Sequence, residues 1–211
     1  MPPKLYRDLR KCASCGKNKE TDGVTLLQCK ACGVDFYCSK ECQTADWPLH
    51  KTKCKVNRES QQRLAAELPG GVQDFDALRR WSRLHRPALQ YLSAQELGIY
   101  DDPGKGEHTI FFVTVRPRLQ ETNERKKFEV TRAVPFPIAE TGQVADSLRT
   151  VYRNTHATNS RLNHGTYLVV VLAEGWPAPN VMPMGFELGS VLPAYHPPNS
   201  IIERINSGRV L

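Results

Sequence analysis

Residues Cys12–Cys54 read CASCGKNKETDGVTLLQCKACGVDFYCSKECQTADWPLHKTKC, and this stretch holds all seven cysteines of the 211-residue chain. They fall in pairs: Cys12 with Cys15, Cys29 with Cys32, Cys38 with Cys42, and Cys54 with His50. Seven thiols and one imidazole make eight donors, which is two complete four-coordinate zinc sites with none left over. Each CxxC pair puts two sulfurs on one tight turn. The CxxxC and HxxxC pairs are spaced i, i+4 and so share one face of a helical turn. A disulfide framework fits less well, because the cysteine count is odd and the opening MPPKLYRDLRKC lacks the apolar core of a secretory signal. Thiols kept for metal point to a reducing intracellular compartment, cytosol or nucleus.

The remaining composition narrows the partners. The longest apolar runs, Ile110–Val113 and Tyr167–Ala173, fall far short of the roughly 20 residues that span a bilayer, so no membrane partner is expected. The formal net charge of +7 raises the question of nucleic acid. Most of it sits in residues 1–58, which carry 12 Lys+Arg against 6 Asp+Glu. Metal binding deprotonates the thiols, and seven thiolates with two Zn²⁺ bring that balance to about +3. A local basic strip, Lys51, Lys53 and Lys55, remains on the last ligand-bearing helix, so binding nucleic acid through it stays an alternative that the weak field disfavours.

Around the ligands, Asp22-Gly23 signals a turn, and Val24–Leu27 and Val34–Tyr37 read as two short strands of a hairpin around the second knuckle. Ser39 caps a short helix carrying Cys42. Asp46 as N-cap and Pro48 in the first turn predict a second helix carrying His50 and Cys54 and running to about Leu68, stopped by Pro69-Gly70-Gly71.

The pattern C-x2-C, C-x2-C-x5-C-x3-C, x7-H-x3-C, with CSKECQ and DWPLHK, resembles the MYND-type zinc finger at all eight ligand positions. That resemblance implies interleaved ligation: Cys12, Cys15, Cys38 and Cys42 on one zinc, Cys29, Cys32, His50 and Cys54 on the other. Spacing alone leaves the sequential arrangement open. With every position filled, both zincs are structural, since a catalytic zinc keeps an open site for water. The resemblance also implies a role as a protein-interaction module that takes short proline-containing peptides of the PxLxP type. The residues matching the family's peptide contacts are Gln43 and Trp47, at i, i+4. An extended proline-rich ligand is already stiff and loses little entropy on docking against an aromatic side chain. The opposing reading of Trp47 makes it the finger's own small core.

Residues 59–71 read as a helical extension and linker, and residues 72–211 as a second domain of α+β class. Asp74–Leu84 predicts an amphipathic helix capped by Asp74. Pro87 either begins a second helix or kinks a single long one, and that helix ends at Leu97 before Gly98. Thr109–Val115 and Tyr167–Ala173 read as central strands, Lys127–Val134 as a strand with one wet face, and Gln143–Arg153 as a helix. Met184–Leu192 is a further strand, and the tail from Pro193 is an extended arm with a short helical turn at Ile201–Ile205. The expected architecture is a four-stranded mixed or antiparallel sheet with helices on one face. This part resembles uncharacterised fungal MYND-domain proteins, a likeness resting on Trp81 and His85 that implies no activity.

No catalytic residues are assigned. The thiols are committed to metal, and no nucleophile elbow, phosphate loop or dinucleotide fingerprint occurs. Gly104-Lys105-Gly106 and Asn163-His164 resemble fragments of SET methyltransferase signatures. The second lacks its continuation, and the finger precedes both, whereas in those enzymes it lies between them. The expectation is therefore an adaptor rather than an enzyme, the alternative being an enzyme with an unrecognised site in residues 72–211. The oligomeric state is not encoded in any readable pattern.

Overall fold

The computed structural model describes residues 11–67, 70–190 and 195–209. The chain divides into two compact units, Met1–Arg63 and Leu64–Leu211. The opening residues 1–10, Pro69, and the part of the expected last strand and tail at 191–194 lie outside the described residues.

The first unit is small. A helical turn α1 (Lys19–Asp22) precedes strands β1 (Leu27–Gln28) and β2 (Phe36–Tyr37), which pair antiparallel with Leu27 opposite Tyr37. Helix α2 (Lys40–Glu67) follows, and the Ser39 hydroxyl accepts the Cys42 N–H at 3.3 Å as its cap. The sequence predicts two helices here; the structure has one, with Pro48 inside it. Asp46 does not cap a second helix. Its carboxylate accepts the Tyr37 hydroxyl at 2.7 Å instead. An internal proline costs a helix about 3 kcal/mol. Cys42 lies before Pro48 on this one helix, and His50 and Cys54 lie after it.

In the second unit, α3 (Gly71–Leu84) and α4 (Arg86–Leu97) are separate helices, and Pro87 sits in the first turn of α4. Gly98, at φ 62°, closes α4 as expected. Helix α3 starts three residues before Asp74, with Gly70 in the capping position, so Asp74 supplies first-turn negative charge rather than a cap. Strands β3 (Thr109–Pro117), β4 (Phe128–Pro137), β5 (His164–Ala173) and β6 (Asn180–Glu187) form one sheet in the order β4-β3-β5-β6. The β3–β5 pair is parallel and the outer pairs antiparallel, so the sheet is mixed. Helices α5 (Ala145–Asn159) and α6 (Pro198–Asn206) complete an α+β unit.

Helices cover both faces of that sheet, not one. Phe111, Val113, Tyr167, Val169 and Val171 share a core with Phe75, Leu78 and Trp81 of α3, Leu89 and Leu92 of α4, and Ile201 and Ile205 of α6. The alternate residues Ile110, Leu168 and Val170 pack with Leu148 and Tyr152 of α5. An unbroken apolar strand such as Tyr167–Ala173 requires this, because both of its sides must leave water. In the described tail the expected helical turn at Ile201–Ile205 is part of a longer helix, α6, and Ile201 and Ile205 are buried, so this part packs rather than extends. Side chains also close the sheet's edges. Arg86 Nη2 and Gln90 Nε2 donate to the carbonyls of Pro183 and Gly185 on β6, at 2.7 and 3.0 Å. Asn206 takes both backbone groups of Val130 on β4. Blocking both edges in this way guards against pairing with another chain.

His85 is wholly buried between α3 and α4, with its Nε2 donating to the Arg125 carbonyl at 2.8 Å. Burial lowers its pKa below the ordinary 6.5. The unfolded chain therefore binds a proton below that pH that the folded chain refuses, and stability falls as pH drops from 6.5 toward the folded pKa. Denaturant midpoints of the second unit are expected to decline between pH 7 and 5, with a smaller slope in His85→Phe. Equal slopes in the two proteins would contradict this.

Candidate metal centre

The first unit brings the eight donors into two groups. In each, one ligand atom per residue lies within 4.8 Å of the other three: Cys12, Cys15, Cys38 and Cys42 in one, Cys29, Cys32, His50 and Cys54 in the other. Cys15 and Cys29, which a sequential arrangement would bring together, lie in different groups. The hairpin explains the interleaving. The bridge from Cys12 to Phe36 sets the first knuckle beside β2, which leads directly into Cys38, while the second knuckle closes β1 and faces the later turns of α2. Among the described residues no third such group gathers.

The distances suit tetrahedral zinc. Zn–S bonds of about 2.3 Å place neighbouring sulfurs about 3.8 Å apart. Cys15 and Cys38 stand 3.6 Å apart, Cys38 and Cys42 3.5 Å, and Cys29 and Cys54 4.0 Å. His50 Nε2 lies 3.7 Å from the Cys32 sulfur. The electrostatics favour a cation between the sulfurs. Burial raises the Cys12 thiol, yet backbone N–H groups of Cys15, Cys38 and Ser14 bring it down to about 6. Against the same burial, the N–H of Cys32, the His50 ring and the N–H of Ala31 bring Cys29 down to about 7. The partners move the other way. Hydrogen bonds with Cys42 and Cys15 push Cys38 up to about 12. Burial, then the charges of Cys32 and Cys29, push Cys54 up to about 12. Sulfurs held this close cannot all ionise alone, and a divalent soft-accepting metal is what lets them. The two tetrads thus mark a two-zinc, metal-binding finger, and four donors per metal leave no position for a reacting water.

Residues outside the ligand pattern complete the second group. Asp35 Oδ2 lies 2.7 Å from His50 Nδ1, and its other oxygen is 2.7 Å from Lys53 Nζ. Burial opposes the Asp35 charge, but the His50 ring and the Lys53 ammonium hold the carboxyl down to about 2. A carboxylate on Nδ1 fixes the tautomer that offers Nε2 to metal. Gln61 Nε2 donates to the Cys32 carbonyl at 2.6 Å, and Gln28 to the Gly33 carbonyl. Spacing rules did not flag Asp35, Lys53 or Gln61, since each acts on a group far away in sequence.

Trp47 is 43 % exposed, so it is not the finger's core; its ring stands 5.9 Å from that of His50. Gln43, one turn earlier on α2, is half-buried. Leu27 on β1 and Leu49 on α2 are also exposed. The basic strip is partly neutralised, with Lys53 on Asp35 and Lys55 3.8 Å from Glu59. In the second unit the two SET-like fragments have local causes. A Cβ on Gly106 would clash with the Thr166 carbonyl, and Asn163 takes the left-handed conformation, φ 56°, before β5. No helix among the described residues is long and apolar enough to cross a membrane.

Comparison with known proteins places residues 12–54 in the MYND finger family. SET domain and MYND-type zinc finger protein 6 of Schizosaccharomyces pombe is 45% identical over 53 residues, 25% of this chain and 10% of that protein. Egl nine homolog 1 of Homo sapiens is 41% identical over 54 residues, 26% of this chain and 12% of that one. N-lysine methyltransferase SMYD2 of Rattus norvegicus is 46% identical over 43 residues, 20% and 9% of the respective chains. The chain spans about a tenth of the length of these curated relatives. No solved structure matches it.

Proposed function

Residues 12–54 are a MYND zinc finger, a protein-interaction module, and from that premise we propose that the chain is a zinc-stabilised adaptor recruiting a partner through a short, proline-containing peptide. One Zn²⁺ held by Cys12, Cys15, Cys38 and Cys42 and another by Cys29, Cys32, His50 and Cys54 make the platform rigid. Gln43 and Trp47 present its contact face. The observation that carries the reading is the 43 % exposure of Trp47 on a helix clamped by ligands of both tetrads. A large aromatic fixed in place and left in water is the kind of side chain that dominates peptide interfaces. Residues 72–211 serve as a second interface, joined through 59–71 to the module at 1–58. A reducing compartment, cytosol or nucleus, suits the free thiols.

Other readings have less support. Three of the curated relatives carry SET in their names, but this chain matches them over the finger, and Gly106 and Asn163 are explained by packing and turn geometry. Methyl transfer to lysine by residues 72–211 would have to rest on other residues. Nucleic-acid binding through α2 meets a strip whose Lys53 and Lys55 already face carboxylates.

Fluorescence anisotropy of a labelled PxLxP peptide on the full chain tests the proposal. Trp47→Ala is expected to weaken binding about 30-fold, the loss of a contact worth about 2 kcal/mol, while two zincs per chain are retained. Equal affinity for wild type and variant, or no affinity in the wild type, would overturn the peptide reading.

A further inference from the structure

The two tetrads differ in what surrounds them. Cys29, Cys32, His50 and Cys54 are all buried, and Asp35, Lys53 and Gln61 brace that group from outside. In the other group only Cys12 is buried; Cys38 and Cys42 are half-exposed and Cys15 is exposed. Thiolates react with oxidants according to their access to solvent. Cys15, exposed, has the Cys38 sulfur 3.6 Å away.

We infer that the Cys12/Cys15/Cys38/Cys42 centre is an oxidant-reactive zinc site whose modification point is Cys15, while the Asp35-braced centre keeps its metal. The inference rests on the two-zinc reading of the finger and adds a regulation to it. With hydrogen peroxide the Cys15 thiolate attacks one peroxide oxygen, the O–O bond breaks, and hydroxide leaves a sulfenic acid on Cys15. The Cys38 thiolate then attacks that sulfur and expels a second hydroxide. Two thiolates have lost two electrons to one peroxide, and one disulfide has formed. The zinc, left with two of its four thiolate donors, dissociates. Because Cys38 opens directly into α2 through Ser39, release of this zinc loosens the start of the helix that carries Gln43 and Trp47. Peroxide therefore weakens partner binding before it unfolds the finger.

Native mass spectrometry of the full chain during exposure to hydrogen peroxide reads each step. A two-zinc species should give way to a one-zinc species two hydrogens lighter than the reduced chain carrying one zinc, with the first zinc lost about 10-fold or more faster than the second, the scale on which groups supporting a ligand alter metal retention. Peptide mapping of that intermediate should place the disulfide on Cys15. Asp35→Asn should bring the second loss close to the first. Two zincs lost together in the wild type, or a first disulfide joining Cys29, Cys32 or Cys54, would overturn the inference alone. Fewer than two zincs before peroxide is added would overturn the zinc reading beneath it.

Discussion

Excess chelator unfolds residues 12–54 and leaves the sheet of the second unit folded. The buried apolar cluster of the finger consists of Cys12, Cys29, Cys32, Cys54 and Tyr37. Four of those five side chains belong to the two donor groups, so without zinc the finger retains Tyr37 as core, with half-buried Leu26 and Val34 against it. So few apolar side chains cannot offset the conformational entropy of ordering more than 40 residues, at roughly 1–2 kcal/mol each for the backbone. Structural zinc in small modules contributes on the order of 10–16 kcal/mol. The second unit has its own core on both faces of the β4-β3-β5-β6 sheet and contains no cysteine. Amide NMR spectra should therefore show the cross-peaks of residues 12–54 collapsing to unfolded positions, with those of β3 and β5 unmoved. Finger cross-peaks that stay dispersed after quantitative metal removal would contradict this.

The second large effect is expected from Trp81→Ala, at about 3–5 kcal/mol. Trp81 is fully buried on α3, with its ring 4.9 Å from His85 and 5.9 Å from Phe128. Through these neighbours it ties α3 both to the α3–α4 junction and to the first residue of β4. Truncation leaves a cavity among helix, strand and junction that no single neighbour can fill. Chemical denaturation followed by circular dichroism measures the loss, and the zinc content reads the finger independently. Trp81→Phe, which keeps an aromatic ring in the same place, should lose less. A cost below about 1 kcal/mol for Trp81→Ala would mean that the site collapses around the change.

Legibility in the sequence followed the range of the interactions. The spacing of the cysteines and His50, Ser39 as a cap, Gly98 as a helix terminator and the six core-facing apolar residues of β5 are encoded locally, by spacing, by a hydroxyl before a helix, or by an unbroken apolar run. The unbroken apolar run Tyr167–Ala173 implies helices on two faces, but the amphipathic pattern of each helix says only that one side is buried and not which side of a sheet buries it. Pro48 lies inside one continuous helix, an outcome that the local rule of a proline at a helix start does not encode. Asp46 and Asp74 illustrate the same limit: each has the chemistry of a cap, but Tyr37 claims one carboxylate, and the other falls inside a helix that begins earlier. Asp35 had no local signal at all. Its role comes from His50, fifteen positions later in the chain, through a contact that exists only once the hairpin and α2 are folded together.

The most direct test of the interleaved finger is correlation NMR on the chain reconstituted with ¹¹³Cd, which shows which side chains share a metal. Two cadmium resonances are expected, one correlated with the β-protons of Cys12, Cys15, Cys38 and Cys42, the other with those of Cys29, Cys32 and Cys54 and with the His50 ring. A single cadmium correlated with both Cys15 and Cys29 would contradict the account.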